Sequence, residues 1–406
     1  MKNKFSLSLV VFLSLISQKV FAQDTAFAEQ SLASFRTANL AEIERVHCPA
    51  YASNPADAQA AFGCFFVRVA QFFESRPVTN TLALLGEPAI HVQRDVLDPA
   101  NSGALCTTLA GSGDSHYFSR FPLLPFNNYH FRHTSPGAFG REILVRLRNR
   151  GGDSFNILRG YLFNMDGLLT QLIDLLTVVK NTPDFSFTIP REICPVSSGM
   201  QDVVVRNIDV EGFYAVLGSV KIFTKLVTSY STGLLPGWFV RADGSIDAAR
   251  FVQNANGVRP RRMKFLERLR GTQDRSSLQP LLQSTLDSFI LLVDSVHSPA
   301  DSYIFGHLLN QSPYHAFIRN LEVYAHDLRD SLDHPDVFWP MTRSGNENIQ
   351  INLSAFLRSL PNPADITSSD PFVLGGRSTP PRRSDRLYIR FVPQFFRDLF
   401  ANFARF

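Results

Sequence analysis

The chain has 406 residues, 45% of them apolar and 19% charged, below the ~25% charge typical of soluble domains. That composition supports a sizeable core and excludes a disordered polyampholyte, and four cysteines in such a length exclude a disulfide-dense miniprotein. No apolar run after the N-terminus approaches the ~18 residues of a membrane span, so a polytopic membrane protein is excluded too.

Residues 1–22 read as a secretory signal peptide. Lys2 and Lys4 form a basic start. Phe5 to Ile16 is an apolar stretch broken only by serines. Val20-Phe21-Ala22 places small residues at the −3 and −1 positions of a cleavage site. The first cysteine is Cys48, so a lipid anchor on the new N-terminus is not expected. Lys2, Lys4 and Lys19 account for three of the 40 basic residues, leaving 37 against 36 acidic ones. The nominal charge of +4 is therefore largely an export feature and gives no argument for nucleic acid. Export favours cysteine pairing, and four cysteines allow three connectivities. Cys48 and Cys64 flank a helix–helix turn, so the expected bonds are Cys48–Cys64 and Cys106–Cys194.

In chain order, the spacing of Leu32, Phe35, Leu40, Ile43 and Val46 predicts a helix over 26–46. Asn54-Pro55-Ala56-Asp57-Ala58 opens a second, with Ala58, Phe62, Phe65, Phe66, Val69, Phe72 and Phe73 on its apolar face. Pro77 and a shorter apolar stretch, Leu82 to Leu85, follow. From Arg94 to Gly152 periodicity is lost. It returns with a strongly apolar face at Leu168, Leu169, Leu172, Ile173, Leu176 and Val179. Phe185, Phe187 and Ile189 alternate as in a strand, and Val203 to Val205 is a second β-like patch. Asp209 is positioned to cap a helix facing inward through Phe213, Val216, Val220, Phe223 and Val227. Further helices are expected at 245–254, 259–270 and 277–297, the last burying Leu278, Leu282, Phe289, Leu292 and Val293. Ser312-Pro313 starts another, with Phe317, Leu321, Tyr324 and Leu328 inward and Arg319, Glu322, His326 and Arg329 solvated. Ile349 to Leu353 reads as a short strand, 361–385 as a linker, and Pro393 to Phe406 as an amphipathic segment.

The fold class is therefore mainly α: packed helical hairpins, few short strands and long loops. The expected divisions are the signal peptide (1–22), an N-terminal hairpin (23–92), a loop-rich insertion (93–152), a main helical domain (153–335) and a tail (336–406). Asn54 to Gly63 resembles the opening of a tetratricopeptide-type repeat. Leu168 to Ile189, with its Asn181-Thr182-Pro183-Asp184-Phe185-Ser186-Phe187-Thr188 turn, is similar to a group of exported bacterial helical proteins described as tetratricopeptide-like. The resemblance covers about residues 27–330 and implies a helical fold with no transferable catalytic residues.

Several constellations carry chemistry in principle. Gly113-Asp114-Ser115 with Asp294-x-x-His297 has the outline of a GDS-type esterase, Ser attacking, His taking its proton and Asp orienting the His. The expected strand before the Ser and the Gly-x-Asn-Asp block are missing, so a turn and a helix end are the preferred reading. His116, His130 and His133 are metal-ligating residue types, but no helical period holds them on one face. Arg259, Arg261, Arg262, Lys264, Arg268 and Arg270 form one basic cluster, and Arg377, Arg382, Arg383, Arg386 and Arg390 another. The second adjoins Phe395, Phe396, Leu399, Phe400 and Phe403 of the terminal segment. That pairing suits a membrane interface, a partner's groove or self-docking. The expectation is an exported cell-envelope protein of non-enzymatic binding or scaffolding type, periplasmic or at the outer-membrane periphery with an extracellular location as the alternative, and with no cofactor. The alternative is a carrier of a lipid or other hydrophobic ligand, in a Phe-rich cavity between helices 168–179, 213–227 and 278–293.

Overall fold

The computed structural model describes residues 27–85, 144–151, 154–190, 202–231, 240–245 and 277–296. Beyond these it describes Glu267–Arg268, Phe305, helical positions between 322 and 333, and short strand pairs up to 390. The chain is mainly α. Its helices are α1 (27–36), α2 (Leu40–Ser53), α3 (Ala58–Glu74), α4 (Arg76–Leu85), α5 (144–150), α6 (Ser154–Lys180), α7 (Asn207–Thr228) and α8 (Leu278–Ser295). The helical positions Glu322, Ala325, His326, Leu328 to Asp330, Leu332 and Asp333 are called α9. The strands pair two by two: β1 (Ser186–Ile189) with β2 (Val203–Arg206), β3 (Tyr230–Ser231) with β4 (Glu267–Arg268), β5 (Trp339–Pro340) with β6 (Gln350–Ile351), and β7 (Val373–Leu374) with β8 (Ile389–Arg390). Contacts group the chain into two compact units. Among the described residues the first comprises 27–71 and 174–210.

In the first unit, the helix expected over 26–46 is split. Ala38 takes a left-handed backbone (φ 49°), and the Asn39 side chain accepts from the Ala41 amide at 2.9 Å, starting α2 afresh. Asp57 caps α3 in the same way, its Oδ1 accepting from the Ala60 amide at 3.0 Å, so Pro55 lies in the turn outside the helix. All seven residues expected on the α3 apolar face are buried. The alternation at β1 is also realised: Phe185, Phe187 and Ile189 are buried and Ser186 and Thr188 exposed. β1 and β2 run antiparallel, Phe187 opposite Val205. Phe187 reaches Phe62 (ring centroids 4.8 Å) and Phe35 (5.1 Å), so the hairpin closes the core made by α1, α2 and α3. Gln59 ties α3 to the hairpin, donating to the Ser186 carbonyl at 2.8 Å. Asp209 does not occupy the cap position of α7. From inside the first turn its carboxylate reaches back to accept from the Arg206 amide at 3.0 Å, the reciprocal half of a capping box.

A polar residue lies in the middle of this aromatic core. His47 of α2 is fully buried, its ring edge-on to Phe27 and Phe35 and tilted against Phe187. It lies flat on α3 because residue 63 is glycine: a Cβ there would stand 2.0 Å from His47 Nδ1. The next residue on each helix, Cys48 and Cys64, forms a disulfide with Cα atoms 4.8 Å apart. Helix contact and covalent clamp are thus the same turn of chain. Gly63→Ala is expected to destabilise the protein by about 2 kcal/mol. Overpacking costs about 3 kcal/mol here, and better helix propensity returns about 1. Urea unfolding checks this, and in a His47→Ala background the same substitution is expected to become stabilising.

The second unit holds described residues 72–85, 144–173 and 211 onward. Pro77 sits in the first turn of α4, where its missing amide hydrogen costs nothing. α5 lies inside the stretch where periodicity is lost. Its three arginines (146, 148 and 150) dilute the signal of Leu147, which is buried. Arg150 donates to the Ala83 carbonyl at 2.7 Å, and Ser154 to the Leu147 carbonyl at 3.0 Å. Leu278 and Leu286 of α8 form a core with Ala325 and Leu332 of α9, and Leu282, Phe289 and Leu328 pack on it.

Four expectations are corrected here. On α7 Phe213 is buried, but Phe223 is 59% exposed and Val220 is exposed, while Lys221 and Lys225 are buried. The helix expected at 259–270 does not hold at Glu267–Arg268, which pair as a strand with Ser231 and Tyr230. Lys264 and Arg268 would be like charges one helical turn apart, which disfavours helix. Within the expected linker 361–385, Val373 and Leu374 pair with Arg390 and Ile389. Finally, α6 is long and apolar enough to cross a membrane by length and composition, although Arg159, Asp166 and Asp174 interrupt its apolar run. Asp166 meets Lys225 of α7 at 3.6 Å.

Candidate functional site

Of the residues singled out in the sequence, the structure brings together Cys48 and Cys64. Cys106, Cys194, Ser115, His116, His130, His133 and His297 lie outside the described residues. So do Arg382, Arg383, Arg386, Phe395, Phe396, Leu399, Phe400 and Phe403. Asp294, the acid of the esterase outline, has its carboxylate 3.9 Å from Nε2 of His326 on α9.

Two polar arrangements in the second unit were not visible in the sequence. The first is a ladder between α6 and α7. Lys221 Nζ donates to Thr170 Oγ1 at 2.5 Å, and that hydroxyl donates on to the Asp166 carbonyl at 2.8 Å. One turn away Lys225 Nζ faces Asp166 Oδ2 at 3.6 Å. Two residues one turn apart on α6 thus meet two one turn apart on α7, the pattern of antiparallel neighbours. Lys225 is only 8% exposed, so its ammonium leans on this carboxylate in place of water. Asp166 Oδ1 and Thr224 Oγ1 are buried without a hydrogen bond. Both lysine contacts join one helix to the other, while the Thr170 hydroxyl is oriented by its own helix, so the ladder's chemical work is to fix the register of α6 and α7. The lysine stems supply apolar surface, which is why Phe223 can face outward. The helices 213–227 and 278–293, expected to flank a ligand cavity, come close together at one point. A Cβ on Gly218 would lie 2.2 Å from Thr285 Oγ1.

The second arrangement lies between α8 and α9. Arg329 Nε donates to Asp287 Oδ1 at 2.6 Å, and Arg329 also pairs with Asp333. These carboxylates hold the guanidinium above its ordinary pKa through hydrogen bonds, Asp333 contributing most. Gln283 donates to Asp333 at 3.2 Å. About two turns toward the end of α8, Asp294 faces Glu322 and His326, one ligand atom from each lying within 4.8 Å of the others. The sequence expectation that Glu322 and His326 sit on the outer face holds for His326, which is half exposed, whereas Glu322 is half-buried.

Compared with protein-family models, curated proteins and solved structures, the chain finds no match.

Proposed function

We propose that this is an exported helical protein of the cell envelope that binds or scaffolds. The observation that carries the reading is the Cys48–Cys64 bridge between α2 and α3. Such a bond persists in an oxidising compartment. The basic start, apolar stretch and small-residue site of residues 1–22 are what delivery to such a compartment requires. The phenylalanines of the first unit support a packing role, because Phe35, Phe62, Phe66 and Phe187 pack ring against ring. The terminal segment, with Arg382, Arg383 and Arg386 before Phe395, Phe396, Leu399, Phe400 and Phe403, supplies the docking element, toward an envelope protein or a membrane surface. The tetratricopeptide-like resemblance of Asn54 to Gly63 fits a binding role.

Fractionation of the native host tests this, with thiols alkylated before lysis. The expected result is a processed N-terminus, a Cys48–Cys64 disulfide in peptide maps, and association with the envelope that is lost when the chain ends at Arg390. An unprocessed chain in the soluble intracellular fraction with both thiols alkylated would overturn the reading.

A further inference from the structure

The geometry points to a divalent metal site at the α8–α9 contact, formed by Asp294, Glu322 and His326. The three side chains come from two helices and offer two carboxylate oxygens and one imidazole nitrogen, all within 4.8 Å of one another. Glu322 and His326 are four residues apart on α9 and so share one face, one above the other. Asp294 approaches from the last turn of α8, which ends at Ser295. The end of a helix carries partial negative charge from its unpaired carbonyls, so the position itself favours a cation.

Two further features distinguish this set from an incidental surface grouping. The first is register. Leu278, Leu286, Ala325 and Leu332 pack into one core, and the Arg329–Asp287 and Gln283–Asp333 contacts pin the same pair of helices. The ligand-bearing positions are therefore held opposite each other before any ion arrives, which lowers the ordering cost of binding. The second is charge. Asp294 and Glu322 bring two carboxylate oxygens within 4.8 Å of each other and of a His326 ring nitrogen. Among the described residues of α8 and α9 the one arginine, Arg329, is engaged by Asp287 and Asp333. A bound cation would relieve that carboxylate repulsion.

The donor set selects the ion. Mixed imidazole and carboxylate ligands suit zinc and neighbouring first-row metals; magnesium and calcium prefer oxygen alone. Ligands around zinc stand about 2.0–2.2 Å from the metal and so about 3–3.5 Å from one another. His326 Nε2 and Asp294 Oδ1 are 3.9 Å apart, and both residues are half exposed, so small rotamer changes close the set. Three protein ligands leave one or more positions for water, the arrangement of an open site. The ion would bolt the end of α8 to α9.

The test uses the full chain, stripped with chelator and titrated with zinc by calorimetry, then with cobalt to read visible absorption bands. The expected result is one saturable site per chain assigned to this set. Asp294→Asn, Glu322→Gln and His326→Gln should each weaken it by at least about tenfold and abolish the cobalt bands, with helical circular dichroism unchanged. Zinc should also raise the melting temperature of the unmodified chain and not of the variants. The variants are needed because the chain has ten histidines, including His130 and His133, which offer zinc other ligands. Absence of saturable binding, or binding and cobalt bands unchanged in His326→Gln and Asp294→Asn, would overturn the proposal.

Discussion

Replacing Cys48 and Cys64 together by alanine is expected to cost about 3 kcal/mol of stability. The two cysteines are 16 residues apart in sequence. Cross-linking a loop of that size removes chain entropy worth about 3 kcal/mol from the unfolded state. Phe35 of α1, Ile43 of α2, and Phe62 and Phe66 of α3 are all buried, so apolar packing also contributes to this hairpin. Alanine is the better replacement, because Cys64 is buried and a serine hydroxyl there would need a hydrogen-bond partner. Urea unfolding of the double variant beside the oxidised chain reads the loss. The unmodified chain in reductant should lose a similar amount. Equal midpoints for oxidised and reduced protein would show that the bond does not stabilise this hairpin.

Much of the first unit was legible because its signals are local. The Phe spacing of α3 and the alternation at Phe185, Phe187 and Ile189 each report burial within a few residues of chain. The Cys48–Cys64 bond followed from two helices and a short turn. It also contained an unread signal. Once Cys48 meets Cys64, their neighbours His47 and Gly63 must meet too, and an isolated glycine within an apolar helix marks a close approach. The break at Ala38 was readable from Asn39, a strong cap residue inside an otherwise continuous pattern.

The second unit was less legible because its signals are tertiary. By spacing alone the α7 face through Phe213, Val220 and Phe223 outranks the face through Lys221 and Lys225. The lysine face wins because Asp166 and Thr170 wait on α6, 51 or more residues earlier. A buried lysine is costly alone and tolerable when paired, and the pairing cannot be seen from the sequence of α7. The same reason hid Asp294, Glu322 and His326. Within α8, Asp294 looks like a partner for His297, three residues on, and only the packing of α9 reveals His326. Alternation in two-residue ladders such as β3–β4 is too short to register at all.

Acid is expected to weaken the first unit through His47, by about 2 kcal/mol between pH 7 and pH 4.5. Burial among Phe27, Phe35 and Phe187 is the largest influence on the ring and lowers its pKa from 6.5 to about 4. The Gln59 carbonyl and the Asp57 charge act in the opposite direction and are outweighed. Ser34 Oγ donates to the Ser31 carbonyl at 2.7 Å, so toward His47 Nε2, 3.5 Å away, it acts as an acceptor; Nδ1 makes no hydrogen bond. The folded core therefore holds a neutral imidazole, while the unfolded chain binds a proton near pH 6.5. Between about pH 6.5 and pH 4 the unfolded state carries more protons, so stability rises with pH across that window. The contribution is fully present above pH 6.5 and is lost as the pH falls toward 4, where the loss reaches roughly 3 kcal/mol. His47→Leu isolates this effect, because leucine packs in the same place and cannot titrate. Urea unfolding at pH 7 and pH 4.5 should show the gap between the unmodified chain and the variant shifting by about 2 kcal/mol in favour of leucine at the lower pH. Parallel pH profiles would mean that His47 is protonated in the folded state or escapes the core. The second outcome would show when the disulfide is broken, because Cys48 no longer holds the adjacent ring against Gly63. If the clamp is what excludes water from the imidazole, the reduced protein should lose less stability on acidification than the oxidised one.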